Sequence, residues 1–321
     1  MPYYPEKKPE ESGETQRNTS EKRLRLLRLS IAVFSCLLIL YGAIRLILYQ
    51  SDLNASRNTS MELRELQHRE ESTPEPTALP TPEATATATP IPSVTETVSL
   101  PTPEARKETL KSVTYPNNPE WKISERFRKL RRKGKYIIGW LSFDTVDEAV
   151  CQKDNEYFLD HDATGRKNIN GAIFLDSGVS LTTRPYTLYL FGHNMKSGNM
   201  FGRLKKYKER SFLNKHRIIT FDSLYEDGKY AVFAVLEMNT VPGTARWYNL
   251  WSLDSKLVEE REEAIRTLEK QSAVSSVLDV RADDQLLLLV TCLDGDDERL
   301  VVAARRLREG ETEDHLDIWE P

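Results

Sequence analysis

The chain has 321 residues, with 45 Lys and Arg against 49 Asp and Glu, giving a net charge of −4. That near balance excludes a protein built to bind polyanions, and a hydrophobic fraction of 39% with a mean hydropathy of −0.54 is too low for a chain packed into core throughout. Three cysteines, Cys36, Cys151 and Cys292, stand in unlike surroundings, so neither a disulfide framework nor a paired-cysteine zinc site is on offer.

Residues 29–49 (LSIAVFSCLLILYGAIRLILY) supply the roughly 20 residues an α-helix needs to cross a bilayer. Arg45, one turn from the end, can extend its stem and place its charge at the headgroups. Lys22, Arg23, Arg25 and Arg28 precede the run and mixed charges follow it. The positive-inside rule therefore puts residues 1–28 in the cytoplasm and everything after Tyr49 outside. The run is too long for the apolar stretch of a cleaved leader and no small-x-small site follows it, which favours a retained signal anchor. Residues 50–104 then read as a juxtamembrane segment and stalk. Within them, residues 72–104 hold eight of the sixteen prolines and neither glycine nor aromatic residues. Such a stretch buries too little to repay the entropy of folding, and at about 3.1 Å per residue it reaches roughly 100 Å.

Residues 105–321 have the composition of one folded domain. An amphipathic helix is expected over residues 121–133, where Trp121, Ile123, Phe127 and Leu130 recur at helical spacing among basic residues that form an exposed face. Short β-branched or aromatic runs bounded by Gly, Asn, Asp or Pro read as strands at 136–140, 172–175, 187–191, 217–221, 230–236, 285–291 and 300–304. Helices are expected at 199–208 and 253–271. The second lies inside the long connection before the 285–291 strand and offers Leu257, Glu260 or Arg261, Ala264, Ile265 and Leu268 as its inward stripe. A connection of that length usually lines a site.

The residues suited to chemistry sit at strand ends. Cys292 follows the apolar run LLLLVT and precedes an acidic turn, and His193 follows TLYLF and a glycine. A thiol and an imidazole so placed are candidates for a nucleophile and its proton partner. The bland readings are a small buried cysteine and a solvated histidine. If the last two strands pair across the acidic turn, Arg299 returns beside Cys292 and can donate to an oxyanion. Strand parity puts Arg299 and Arg305 on one face, with Arg305 roughly 20 Å away. Asp160, His161 and Asp162 read as a turn rather than a metal cluster, and the Asp294, Asp296, Asp297 and Glu298 run as a solvated hairpin. Cys151, in AVCQ at an expected strand end, reads as a buried small residue. A disulfide to Cys292 would need Cα atoms within about 7 Å.

The runs NGAIFLD (170–176), FGHNMKSGNMFGRLKKY (191–207), QKDNEYFLDHDATGRK (152–167), Thr291-Cys292 and RLVV (299–302) resemble the class B sortases. The resemblance implies a mostly β fold, a sortase-type eight-stranded β-barrel with an N-terminal helix and a helix in the connection before the cysteine strand, over residues 105–321. It implies a membrane-anchored cysteine transpeptidase that cleaves a C-terminal sorting motif after threonine, forms a thioester on Cys292 and passes the protein to an amine. In these terms His193 is the general acid/base and Arg299 the oxyanion-stabilising residue. Asn155 and Leu159 match positions that contact the sorting peptide, Tyr248 or Trp251 a pocket aromatic, and Val290 and Thr291 flank the pocket. Val290 departs from the small polar residue more common in the family. The implied partners are proteins bearing a sorting signal, a peptidoglycan cross-bridge amine or pilin lysine as acceptor, and the membrane through residues 29–49 in a Gram-positive-type envelope. No nucleic acid, cofactor or metal is called for. A Cys/His wall peptidase that passes the acyl group to water, and a non-catalytic envelope-binding module, are the competing classes.

Overall fold

The structure, a computed structural model, describes residues 12–71, 107–293 and 297–316. The expected stalk and the turn at residues 294–296 lie outside them. The chain forms two compact units, Met1–Asn54 and Ala55–Pro321. The first holds most of helix α1 (Ser12–Glu71), whose apolar run stays exposed. By length and composition this helix can cross a membrane.

The second unit takes in residues 55–71, ahead of the expected start near 105. Helix α2 (Glu125–Lys133) begins later than its apolar spacing suggests, because Ser124 caps it by accepting from the Phe127 N–H at 3.4 Å. Trp121 lies outside it with a positive φ of 51°. Eight strands follow: β1 (Ile137–Phe143), β2 (Val146–Cys151), β3 (Ile173–Leu175), β4 (Thr187–Phe191), β5 (Ile218–Ser223), β6 (Lys229–Asn239), β7 (Leu286–Cys292) and β8 (Glu298–Arg306). They close into a barrel in the order β1-β2-β3-β4-β7-β8-β6-β5. The expected 199–208 helix is a 3-10 turn at Leu204–Lys208 followed by a short helix, α3 (Arg210–Lys215). The expected 253–271 helix is split into a 3-10 turn at Leu250–Asp254 and helix α4 (Val258–Gln271).

Strand β7 is buried on both faces up to its last residue, and its alternate side chains enter different clusters. Leu287 and Leu289 join the larger core, whereas Leu286, Leu288 and Val290 pack with Ala264, Ile265 and Leu268 of α4 and with Leu250 and Leu253. An eight-stranded barrel has room inside only for side chains, so the face under α4 is the outer one. Arg261, the polar member of the α4 stripe, is fully buried. Its guanidinium donates to the carbonyls of Ala282 (2.7 Å), Tyr186 (3.0 Å), Asp284 (3.0 Å) and Leu253, and to the Thr187 hydroxyl (2.8 Å). Burial lowers its pKa. Five neutral acceptors, four from segments around the starts of β4 and β7 and one from the Leu250–Asp254 turn, compensate the buried charge and fasten the β6–β7 connection to the sheet.

Candidate active site

Parallel pairing of β4 with β7 matches Phe191 to Val290. Cys292, two residues past Val290, ends β7, and His193 lies two residues past the end of β4, so the two emerge from neighbouring strand ends. On the other side of β7, antiparallel pairing sets Arg299 of β8 directly across from Cys292. The cysteine thus stands at the end of the middle of three adjacent strands, flanked by a histidine and an arginine. Cys292 continues the parity of Leu288 and Val290, and Arg299 that of Val301 and Ala303, so both belong to the outer face that α4 covers further back. All three cysteines are free, and Cys292 is exposed.

Short polar bonds hold these strand ends together. The Thr291 hydroxyl donates to the Gly192 carbonyl at 2.7 Å, and the Asn194 amide donates to the Cys292 carbonyl at 3.0 Å. The Phe201 N–H donates to the His193 carbonyl at 2.9 Å and folds the GHNM segment back on itself. His193 Nε2 lies 2.7 Å from the Leu159 carbonyl. A carbonyl only accepts, so Nε2 carries the proton, and in the neutral ring Nδ1 is the basic nitrogen. Leu159 ends a 3-10 turn, Tyr157–Leu159, which Asp154 initiates by accepting from the N–H groups of Tyr157 (2.6 Å) and Glu156 (3.0 Å). These two bonds hold the Asp154 carboxyl below the usual carboxylate range. Arg299 is half-buried and donates to the Glu298 carbonyl at 3.0 Å. The Glu298 side chain in turn pairs with Arg246.

The residues expected to contact substrate divide in two. Leu159 and Trp251 expose 45% and 50% of their surface, and Trp251 packs on Tyr189 at 4.7 Å between ring centres. Val290, Thr291 and Tyr248 are buried, and the Tyr248 hydroxyl is turned inward to the Ala264 carbonyl at 2.9 Å. Asn155 is exposed, but its amide donates to Asp176 (2.7 Å) and accepts from the Ser177 N–H (2.8 Å), bracing the loop after β3. Cys151 lies on β2, and β3 and β4 stand between it and β7. Three strand spacings, about 14 Å, rule out the disulfide to Cys292 weighed from sequence. Burial pushes the Cys151 thiol up, which keeps it protonated and inert. Arg305 shares the face of Arg299 but pairs with Leu286 at the far end of β8, so distance alone separates it from Cys292, as expected.

Three contributors were missed in the sequence: Asn194, Asp154 and the Leu159 main chain. Asp154, three residues before the turn it initiates, carries a readable Asx-turn signal. A backbone carbonyl carries none.

The family profile described as the sortase domain matches residues 145–307, about half of the chain. Sortase B of Listeria monocytogenes is 29% identical over 180 residues, 54% of this chain and 70% of that protein. Sortase B of Staphylococcus aureus is 28% identical over 192 residues, 58% and 76% of the two chains. Among solved structures, a Bacillus anthracis protein similar to sortase B superposes with a TM-score of 0.57 at 22% identity, covering 79% of this chain and 96% of its own. The Staphylococcus aureus sortase B–substrate complex superposes with a TM-score of 0.52 at 25% identity, covering 59% and 88%. With its closed eight-stranded barrel and this profile match, the chain belongs to the sortase family, and within it to the class B sortases.

Proposed function

We propose that the protein is a membrane-anchored cysteine transpeptidase in which Cys292, His193 and Arg299 carry the reaction. The observation that carries this reading is the alignment of the three residues on the adjacent ends of β4, β7 and β8. The Cys292 thiol gives its proton to His193 Nδ1, and the resulting thiolate attacks the carbonyl carbon of a threonine in a C-terminal sorting motif. The developing oxyanion accepts hydrogen bonds from the Arg299 guanidinium. Collapse breaks the peptide bond, and His193 protonates the leaving amine, so that a thioester remains on Cys292. An acceptor amine, from a wall cross-bridge or a pilin lysine, gives its proton to His193 and attacks the thioester. The new amide forms and the thiolate is restored. Leu159 and Trp251, both exposed, border the path of the peptide. A relative solved as a substrate complex supports a protein substrate for this fold.

The apolar run of α1 serves as the single anchor, with the basic cluster that precedes it in the cytoplasm and the barrel outside. The test incubates the purified protein with a peptide carrying the sorting motif of a client and an oligoglycine or lysine-containing amine, then identifies the product by mass. An amide to the added amine is expected. Cys292→Ala abolishes it, and His193→Ala loses nearly as much because the groups act as a unit. Release of free acid alone points to the hydrolytic peptidase, and near-normal turnover by Cys292→Ala overturns the assignment.

A further inference from the structure

The second unit contains a helical segment that the sequence reading placed in the linker to the membrane. Residues 55–71 of α1 lie within the same compact unit as the barrel. Ser56, Thr59, Leu63 and Gln67 form one stripe at positions i, i+3, i+7 and i+11, and each is less than a tenth exposed. Leu63, 2% exposed, belongs to the main hydrophobic cluster, with Leu66 packed beside it.

Polar bonds frame this stripe. Arg64 donates to the Asp147 carbonyl at 2.6 Å and to the Glu148 carboxylate at 2.7 Å, and Ser60 donates to Glu148 at 2.7 Å. His68 lies 3.0 Å from Asp147, and Lys133 of α2 pairs with Glu62 at 2.5 Å. The partners on the barrel side are consecutive residues of β2, and Asp147 is itself fixed by Trp140 and Ser142 of β1, both at 2.7 Å. These are the contacts of a docked helix.

The chain leaves the described helix at Glu71 and returns at Lys107, where Thr109 bridges to Leu257 and Val113 to Arg184. Both ends of the Pro/Thr-rich segment are therefore attached to one folded unit. A stalk in series between span and barrel sets their separation, whereas a segment that starts and ends on the barrel does not. Only residues 50–55 separate the apolar run from the first docked residue, Ser56.

We propose that residues 55–71 are the barrel's own anchor: the docked face of α1 holds the catalytic unit to the membrane-spanning segment, and the Pro/Thr-rich segment is an excursion that carries no tethering load. The inference rests on residues 29–49 being the membrane span, but not on the catalytic reading.

The experiment uses the full chain in phosphatidylcholine/phosphatidylglycerol vesicles, with a site-specific protease sequence inserted among residues 84–89. Before cleavage the protein floats with the vesicles, which certifies the span. After complete cleavage the barrel fragment still floats with them, held by the docked helix. In an Arg64→Ala/His68→Ala variant and in Leu63→Asp the fragment is lost from the vesicles on cleavage, while uncleaved protein of either variant stays bound. Circular dichroism and an unchanged rate of Cys292 alkylation establish that the barrel is folded. Release of the wild-type fragment on cleavage overturns the proposal. Retention of the fragment in both variants overturns it too, because the attachment then lies elsewhere on the barrel.

Discussion

Gly171 tests whether the Leu159 carbonyl positions His193. It has a φ of +59°, and a Cβ added there would lie 2.2 Å from the Phe158 carbonyl oxygen and 3.0 Å from that of Leu159. A left-handed alanine costs about 1–2 kcal/mol by itself. The contact costs more, because its partner is main chain and cannot rotate away. Relief from 2.2 Å to an ordinary separation of roughly 3.4 Å needs a shift of about 1.2 Å in the Phe158–Leu159 segment, which carries the acceptor of His193 Nε2 with it. Misplacement on that scale lowers turnover by about 10²-fold. The assay compares kcat/KM for transpeptidation with thermal stability in Gly171→Ala and in Gly310→Ala. Gly310 also has a positive φ, 81°, but has nothing within 4 Å of an added Cβ. Both variants should lose stability, and only Gly171→Ala should lose turnover. A folded Gly171→Ala protein that works within a few-fold of wild type refutes the reasoning, as does an equal loss in Gly310→Ala.

The remaining predictions concern charge. Arg299→Ala should lower turnover by about 10² or more, and Arg299→Lys should also be impaired for want of the planar fork. Arg305→Ala should keep its turnover per folded molecule yet lose about 3 kcal/mol of stability, since Arg305 is 1% exposed and paired with Glu311 at 2.6 Å; thermal denaturation beside kinetics separates the two effects. For Asp154, the folded carboxyl titrates below its ordinary value, so its contribution is complete above about pH 4 and is lost as pH falls through the lower folded value. Melting temperatures of wild type and Asp154→Asn should differ above about pH 4 and converge in stronger acid; a gap that persists or widens in acid contradicts the sign.

The strands that bear the site were the easiest to read. β4 coincides with its expected residues, and β7 and β8 begin or end within two residues of theirs, because runs such as LLLLV and LVVAA are buried on both faces and leave little ambiguity. β2 was seen only at its Cys151 end. Its Asp147 and Glu148 look like surface residues until α1 supplies Arg64, Ser60 and His68 as partners. The docked stripe of α1 was hidden for the same reason, since Ser56, Thr59 and Gln67 satisfy no apolar pattern. The connection helix starts late because Leu257, the residue before it, is extended. In the candidate site, residue type and strand-end position singled out Cys292, His193 and Arg299 as candidates, whereas contacts through side chains such as Tyr248 depended on rotamers that spacing does not encode.

The strand order also sets when the site can exist. Without β7 and β8, the remaining six strands form an open sheet, β4-β3-β2-β1-β5-β6, with β4 and β6 as unpaired edges. The final hairpin is the pair of staves that closes it. A chain threaded outward from its N-terminus delivers His193 long before Cys292 and Arg299, which arrive on the closing element itself. The thiol therefore gains its neighbours only when the barrel seals, and under the proposed catalytic reading and outward topology a partly emerged chain has no assembled centre with which to attack proteins crossing the membrane beside it.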